Sequence, residues 1–358
     1  MNFQQALRSS VIRWALLFLM ILFFSMMNAM VLEGVHTPLL LKQVAKPELS
    51  AGEALIKIQA AALNRRDYWI QQGLYAGLRF PIILGSDGAG IVEQVATAQD
   101  AHWVGQTVMI NPAFNWGAHE AAQSGDFQIL GLPQNGTFAE YVKVPVQNLH
   151  VVPSHLTIEE AAAVPLGGVT AWRALFSRAN LQKGDKVLIA GIGGGVATFA
   201  LQWAIHAGAE VYVTSSKEEK IKKALDIGAR AGVRYTDKNW SDQLTTVGGF
   251  DVIIDSAIGP DFNAYIDLAK PGGRIVFFGA TASGEFPPLN ARKIFWKQLS
   301  ILGSTMGSPS DFAKMLAFLE EHQIKPIIDT IYPLAHAEEA IRKMDESVQF
   351  GKIVLKIA

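Results

Sequence analysis

The stretch from Val187 to Lys220, VLIAGIGGGVATFALQWAIHAGAEVYVTSSKEEK, reads strand, glycine turn, helix, strand. Val187 to Ala190 is a continuous apolar run of the kind that makes a strand buried on both faces. Gly191, Gly193, Gly194 and Gly195 follow. Val196, Phe199, Ala200, Trp203, Ala204 and Ala207 then recur at helical spacing. A unit of about 30 residues in this order restricts the chain to a parallel sheet with helical crossovers. The turn also has a chemical consequence. Without Cβ atoms in the way, its backbone amides can approach a pyrophosphate, and the helix N-terminus adds a favourable dipole. The spacing is not a strict G-x-G-x-x-G, because Val196 takes the sixth position. Ala197 instead supplies the small residue for helix–strand contact. Dinucleotide binding is the expectation.

The second strand decides which dinucleotide. NAD sites usually end this strand in Asp or Glu, which binds the ribose 2′-hydroxyl. Here it ends in Thr214, Ser215 and Ser216, followed by Lys217 and Lys220. Hydroxyl and ammonium groups attract a 2′-phosphate that a carboxylate would repel, so the expected cofactor is NADP(H). A capped, solvated helix start would read the same way, and Glu218 and Glu219 pull against the preference.

The rest of the chain fits around this unit. Its 358 residues allow two domains of roughly 150 residues each. Half the residues are apolar and only 18% are charged, which favours packed cores over disorder. The net charge of −1, without a long basic block, argues against nucleic acid as a partner. The chain has no cysteine, which removes disulfides, thiolate nucleophiles and thiolate zinc sites together. EALIKIQAAALN, GAGIVEQV, TFAEYVKVP and NLHVVP are strand-like runs within residues 30–150. Beyond about residue 154, strand runs at 187–190, 210–214, 232–235, 251–255, 274–279 and 299–303 alternate with helical periods. Helices over 309–322 and 336–346 and a last strand, GKIVLKI, complete the chain.

The N-terminus permits two readings. Trp14 to Leu32 holds only Ser25 and Asn28 as polar residues, with Arg8 and Arg13 before it. AMVLEG, however, reads as a first strand, and Trp14 to Met26 as a helix would span only about 20 Å, short of a hydrocarbon core of about 30 Å. The preferred reading is a non-structural extension over residues 1–26, with Met27 as the working first residue and a cytoplasmic protein. The alternative is a membrane anchor over 14–26.

With these residues in hand, the chain resembles the medium-chain dehydrogenase/reductase superfamily. The motifs are AALNRRDYWIQQG, LGSDGAGIVEQV, GTFAEYVKVP, EEAAAVPLGGVTAWRAL, the glycine turn, GGRIVFFGATASG and GKIVL. The resemblance implies an α/β chain. A doubly wound parallel Rossmann sheet would bind the nucleotide, and a β-rich GroES-like domain would carry the catalytic residues. The expected divisions are the extension 1–26, the GroES-like domain 27–153, the Rossmann domain 154–306, and a C-terminal return, 307–358, to the catalytic domain. Zinc ligands of the alcohol dehydrogenases in that superfamily fall on Asn64, Ser86 and Leu166, and the glutamate beside their histidine falls on Asp87. Leu166 has no donor for a metal, and lone Asn or Ser oxygens are poor zinc ligands. The four-cysteine lobe corresponds to about 112–136, where His119 and Glu120 stand side by side as a loop pair rather than a metal site. No metal is expected. Together with the Ser-Ser-Lys strand end, this resembles the quinone and enone reductase branch.

The resemblance also implies roles. Asn64 donates to the carbonyl oxygen of a conjugated acceptor, Tyr68 serves as proton donor or aromatic wall, and Asp67 orients its neighbours. Packing and capping account equally for Asp67 and Tyr68. Thr170 faces the phosphate on the nicotinamide side, and Tyr235 lies near the adenine ribose phosphate. Gly279, Ala280 and Thr281 lie by the nicotinamide amide, and Lys352 reaches the cofactor from the C-terminal segment. The apolar run LSILGSTM would be the sheet edge, where an open strand invites association, so a homodimer is expected. Without a Lewis acid, hydride transfer to a conjugated carbonyl or quinone fits better than alcohol oxidation. Two alternatives stay open: an alcohol or aldehyde oxidoreductase of the same superfamily, and an NADPH-binding sensor or structural protein of low turnover.

Overall fold

The computed structural model describes residues 26–282 and 284–357. Ten strands come first: β1 (Met26–Leu32), β2 (Leu40–Ala45), β3 (Glu53–Ala62), β4 (Ile82–Ile83), β5 (Asp87–Val95), β6 (Thr107–Ile110), β7 (Ala113–Phe114), β8 (Gln128–Ile129), β9 (Tyr141–Pro145) and β10 (Leu149–Val151). Six follow among helices: β11 (Lys186–Ile189), β12 (Glu210–Ser215), β13 (Ala231–Arg234), β14 (Phe250–Asp255), β15 (Ala269–Phe277) and β16 (Ser300–Gly303). β17 (Ile328–Pro333) and β18 (Lys352–Lys356) end the chain.

β11 to β16 form one parallel sheet in the order β13-β12-β11-β14-β15-β16. Its central strands are the apolar runs KVLI and FDVIID. Side chains on both of their faces are enclosed, as a sheet covered by helices on both sides requires. The helix Gly195–His206 packs through Phe199, Ala200, Trp203 and Ala204, all at most 1% exposed. Phe199 stacks on Trp203 at 5.4 Å, and the Trp203 indole N–H donates to the Gly168 carbonyl at 3.1 Å. The buried ring therefore leaves no polar atom unsatisfied, and its loss in Trp203→Ala would cost about 3–5 kcal/mol.

The N-terminal strands build a second, mostly antiparallel sheet with β3 as its hub. β3 pairs with β5 and β9, and β18 returns from the C-terminus to pair with it. At its end β3 carries Ala60, Ala61 and Ala62, all fully buried. Opposite lies the helix Ile158–Ala163 with Ala161, Ala162 and Ala163, also fully buried. Small residues on both sides let strand and helix backbones approach closely, and the carbonyl end of β3 delivers the chain to Asn64. The expected divisions at 153/154 and 306/307 fall between elements: β10 ends at Val151 and the next helix starts at Ile158, while β16 ends at Gly303 and the next starts at Pro309.

β1 begins at Met26, three residues ahead of the expected strand, and pairs with β2 through Val31. Met26 and Met27 thus lie in a sheet. The remainder of the proposed extension or anchor, residues 1–25, lies outside the described residues. Among those described, no helix is long and apolar enough to cross a membrane.

The cysteine-free lobe is tied down by Arg173. Its guanidinium donates to the carbonyls of Glu120 and Ala121 at 3.0 and 2.8 Å and to the Asp311 carboxylate at 2.6 Å. It also lies 4.8 Å from the Trp116 ring. Ser308 donates to Glu120 at 2.6 Å. The His119–Glu120 pair therefore has its carboxylate bonded to a hydroxyl.

Candidate active site

The glycine turn has the shape a phosphate needs. Gly191 and Gly193 have φ of 67° and 134°, which favours glycine. Among the described residues, a Cβ on Gly191 or Gly194 would meet nothing within 4 Å, which leaves this side of the turn open to a ligand. Gly194 caps the helix Gly195–His206 without any side chain on the first-turn amides. Those amides are the donors an anion would use. The turn is held from behind. Gly191 N–H donates to the Thr214 hydroxyl at 3.1 Å and Ile192 N–H to the Thr214 carbonyl at 2.7 Å. Gly351 N–H reaches the Gly193 carbonyl at 2.9 Å. Val196, the second residue of that helix, is half-buried.

At the end of β12, Ser215 is buried and its hydroxyl accepts from Lys217 N–H at 3.2 Å, while Ser216 is exposed. Tyr235 is exposed, and its N–H donates to the Ser215 carbonyl at 3.0 Å, which sets its backbone beside this strand end. Lys220 is placed differently from the sequence-based expectation. Its side chain packs over Gly193 and its ammonium donates to the Ser347 carbonyl at 2.7 Å; burial, then the neighbouring Lys217, holds its pKa down. Thr170 donates to the Leu166 carbonyl at 2.7 Å within its own helix. Gly279, Ala280 and Thr281 follow β15, and Thr281 N–H reaches the Ser256 carbonyl at 3.3 Å.

The second group forms where β3, β5 and β18 meet. Asn64 caps the helix Arg65–Gln71, its N–H donating to Asp67 at 2.8 Å. Its amide N–H₂ donates to Asp87 Oδ2 at 2.9 Å, and its amide oxygen accepts from Lys352 Nζ at 2.8 Å. Lys352 Nζ also donates to Asp87 Oδ2 at 2.9 Å and to the Leu63 carbonyl at 2.8 Å. Asp87 Oδ1 accepts from Leu166 N–H at 2.8 Å. Of the four positions aligned with the zinc-site residues, Asn64 and Asp87 thus share one ammonium, and Leu166 joins them through its backbone N–H on Asp87. The aliphatic stem of Lys352 lies against Gly195, where a Cβ would come within 2.6 Å of its Cδ. The lysine touches the glycine turn with its stem while its charged end serves Asn64.

Asp67 is fully buried and also accepts from Gly85 N–H at 3.3 Å. Burial pushes its carboxyl up to about 6, against the pull of Arg66, the two amides and Lys352. Tyr68 does not join this group. Its hydroxyl faces Asp345, which together with burial raises its pKa, and Arg342 lies 6.0 Å from its ring. Phe114 and Trp116, in the cysteine-free lobe, are core residues.

Arg66 is the residue sequence reasoning passed over. It is 8% exposed, and its Nη1 donates to the Ser86 hydroxyl at 2.6 Å and the Leu130 carbonyl at 2.8 Å. The signal available was NRRD: in a helix starting after Asn64, positions 66, 67 and 70 share the inward face, whereas Arg65 points at Ser347.

Residues 50–154 match the family model described as alcohol dehydrogenase GroES-like domain, and residues 195–321 match the zinc-binding dehydrogenase model. A zinc-type alcohol dehydrogenase-like protein YogA of Leptosphaeria maculans is 34% identical over 90% of this chain and 96% of its own. The chain belongs to the medium-chain dehydrogenase/reductase superfamily. Its α/β fold has the superfamily's two parts, a GroES-like domain and a Rossmann-type parallel sheet. Among solved medium-chain structures, an NAD-dependent alcohol dehydrogenase superposes with a TM-score of 0.85 at 35% identity, over 93% of this chain and 100% of that one. A quinone oxidoreductase from Thermus thermophilus, solved alone and with NADPH, gives 0.76 at 28% identity, over 92% and 100%. The chain is an oxidoreductase of this superfamily, and a nicotinamide cofactor is the group its glycine turn fits.

Proposed function

We propose that this protein is an NADPH-dependent reductase of conjugated carbonyls or quinones that works without zinc. The observation that carries the reading is the Lys352–Asp87–Asn64 group. The donor set does not fit a zinc ion: Leu166 offers only a backbone amide already bonded to Asp87, and the Ser86 hydroxyl is engaged with Arg66 and Leu130. Lys352 supplies a positive charge at that place instead.

A bound reduced nicotinamide would supply hydride to the β-carbon of the acceptor. Negative charge then develops on the acceptor's oxygen, and the protein's part is to meet it with a donor held in place beforehand. Asn64 suits that role. Its oxygen is held by an ammonium and one amide hydrogen by a carboxylate, which fixes the amide plane and leaves its second N–H as donor. An ammonium on the amide oxygen also polarises that N–H. Asp87 and Lys352 are positioning residues, and the proton that completes reduction comes from solvent.

For the cofactor, Ser215, Ser216 and Lys217 offer hydroxyl and ammonium groups and no carboxylate to a 2′-phosphate, with Tyr235 alongside. The named alcohol dehydrogenases among the relatives support a second reading, oxidation or reduction at an alcohol or saturated aldehyde. We also propose that the protein is a homodimer joined along β16. That strand is the sheet edge, with Ile301 and Leu302 half-buried, and the helix just before it leaves Phe295 and Trp296 exposed.

The deciding experiment follows NADPH and NADH oxidation by chelator-treated protein with a quinone, a 2-alkenal and a saturated aldehyde in parallel, with zinc counted by mass spectrometry. NADPH-linked turnover of the quinone or alkenal alone, at well under one zinc per chain, is expected. Turnover of the saturated aldehyde that vanishes with zinc removal would overturn the proposal.

A further inference from the structure

A cavity of about 360 Å³ opens beside Arg66, lined also by Tyr75, Arg79, Phe127, Gln128 and Leu132. Arg66 is enclosed, yet among the described residues no carboxylate lies within ion-pair distance of it. Its Nη1 is used on Ser86 and Leu130, and Tyr75 covers one face of the guanidinium, with the ring centre 5.0 Å away. Among the described residues its buried Nε has no partner and no hydrogen bond reaches Nη2. The Nε–Nη2 edge is the side of a guanidinium that holds a carboxylate through two parallel bonds. A second cation, the exposed Arg79, stands at the same cavity, and among the described residues no acidic side chain lines it. Burying a guanidinium this far without a directly paired counter-charge is unfavourable, and the anchoring of Leu130 explains one of its nitrogens only. Ser86 links this cavity to the site, because it adjoins Asp87, the carboxylate that holds Asn64 and Lys352.

We infer that the cavity beside Arg66 binds a carboxylate carried by the substrate, so that the preferred acceptors are unsaturated acids rather than neutral enones or quinones. Arg66 takes the carboxylate on its open edge and Arg79 adds charge at the mouth. Phe127, Leu132 and the Tyr75 ring enclose the flat carbon frame. The inference rests on the reductase reading for the chemistry done on that substrate, but not for the anion site itself.

Two measurements separate the two. The first titrates benzoate and, in parallel, neutral benzamide into the full chain by calorimetry, without nicotinamide. Benzoate is expected to bind at least about tenfold tighter than benzamide, as charge-assisted bidentate bonds require. Arg79→Gln should weaken it about threefold or more through the lost charge. This variant changes an exposed side chain, so loss of fold does not confuse it. Arg66→Gln, checked for an unchanged melting temperature, should abolish the preference. The second compares 3-benzoylacrylate with its methyl ester as acceptor. The acid-to-ester ratio of kcat/KM should exceed about ten and fall toward one in Arg66→Gln. Equal binding of benzoate and benzamide, or a ratio near one in the wild type, overturns the inference. Benzoate binding that depends on Arg66, with no reduction of any enone, would leave the anion site standing and remove the reductase reading.

Discussion

The ammonium of Lys352 lies 2.9 Å from the carboxylate of Asp87, with 3% of one side chain and none of the other open to solvent. The carboxylate also takes the amide of Asn64 and the backbone N–H of Leu166, so four segments far apart in sequence meet on one ion pair. Removing the cation alone leaves a buried, uncompensated charge. Lys352→Met should therefore destabilise the fold by about 3–5 kcal/mol, read from urea midpoints with an unchanged slope. A change under about 1 kcal/mol would mean the pair is worth no more than a surface one.

Asn64 sits inside that group without carrying charge. Asn64→Ala should lower kcat about a hundredfold on conjugated acceptors, the usual effect of losing one donor to a developing oxyanion, while cofactor binding followed by fluorescence stays within about twofold. A kcat within a factor of about three of the wild type would exclude the amide as the donor.

Asp67 gives a pH signature. Its folded-state pKa of about 6 is raised above the ordinary carboxylate value. Between about pH 4 and 6 the folded chain therefore binds more protons here than the unfolded chain. Its contribution to stability falls as pH rises through that window. Other carboxylates are lowered, Asp251 and Asp329 among them, and slope the opposite way. The informative quantity is thus the wild type minus Asp67→Asn. That difference should move against the wild type by on the order of 2–3 kcal/mol from pH 4 to 7, in denaturant melts at each pH. A flat difference would place the Asp67 pKa in the ordinary range.

The open edge of β16 makes its own prediction. Light scattering should give the mass of two chains, and Leu302→Lys, which puts charge on the edge strand, should shift the mass toward one. A monomer mass at micromolar concentration would refute the pairing.

The parts of the fold visible in the sequence were those with local causes. β11 and β14 are apolar runs that only a covered parallel sheet can bury, and Gly191 and Gly193 mark positive φ within their own turn. Asn64 and Asp67 were named from the resemblance of the NRRD stretch to the superfamily's motif, and the structure joins them as a helix cap and its third residue. Side-chain direction was not visible. Lys352 was expected at the cofactor, and its stem does border the turn, but a four-carbon chain can aim its charge several ways. Here Asp87, 265 residues away, sets the aim. Tyr68 turns to Asp345 and Lys220 to Ser347, both on the C-terminal return. Arg66 was passed over because its partners, Ser86 and Leu130, lie 20 and 64 residues on and carry no motif.

The tie between Arg173 and the lobe at 112–136 has a consequence for where such a protein can work. The lobe is held by a guanidinium acting on two carbonyls, a carboxylate and an indole ring. A chain without cysteine has no thiol there to oxidise, alkylate or strip of metal. Thiol oxidants, alkylating agents and swings in glutathione poise, which threaten a thiolate-bound lobe, have no sulfur to act on in this one.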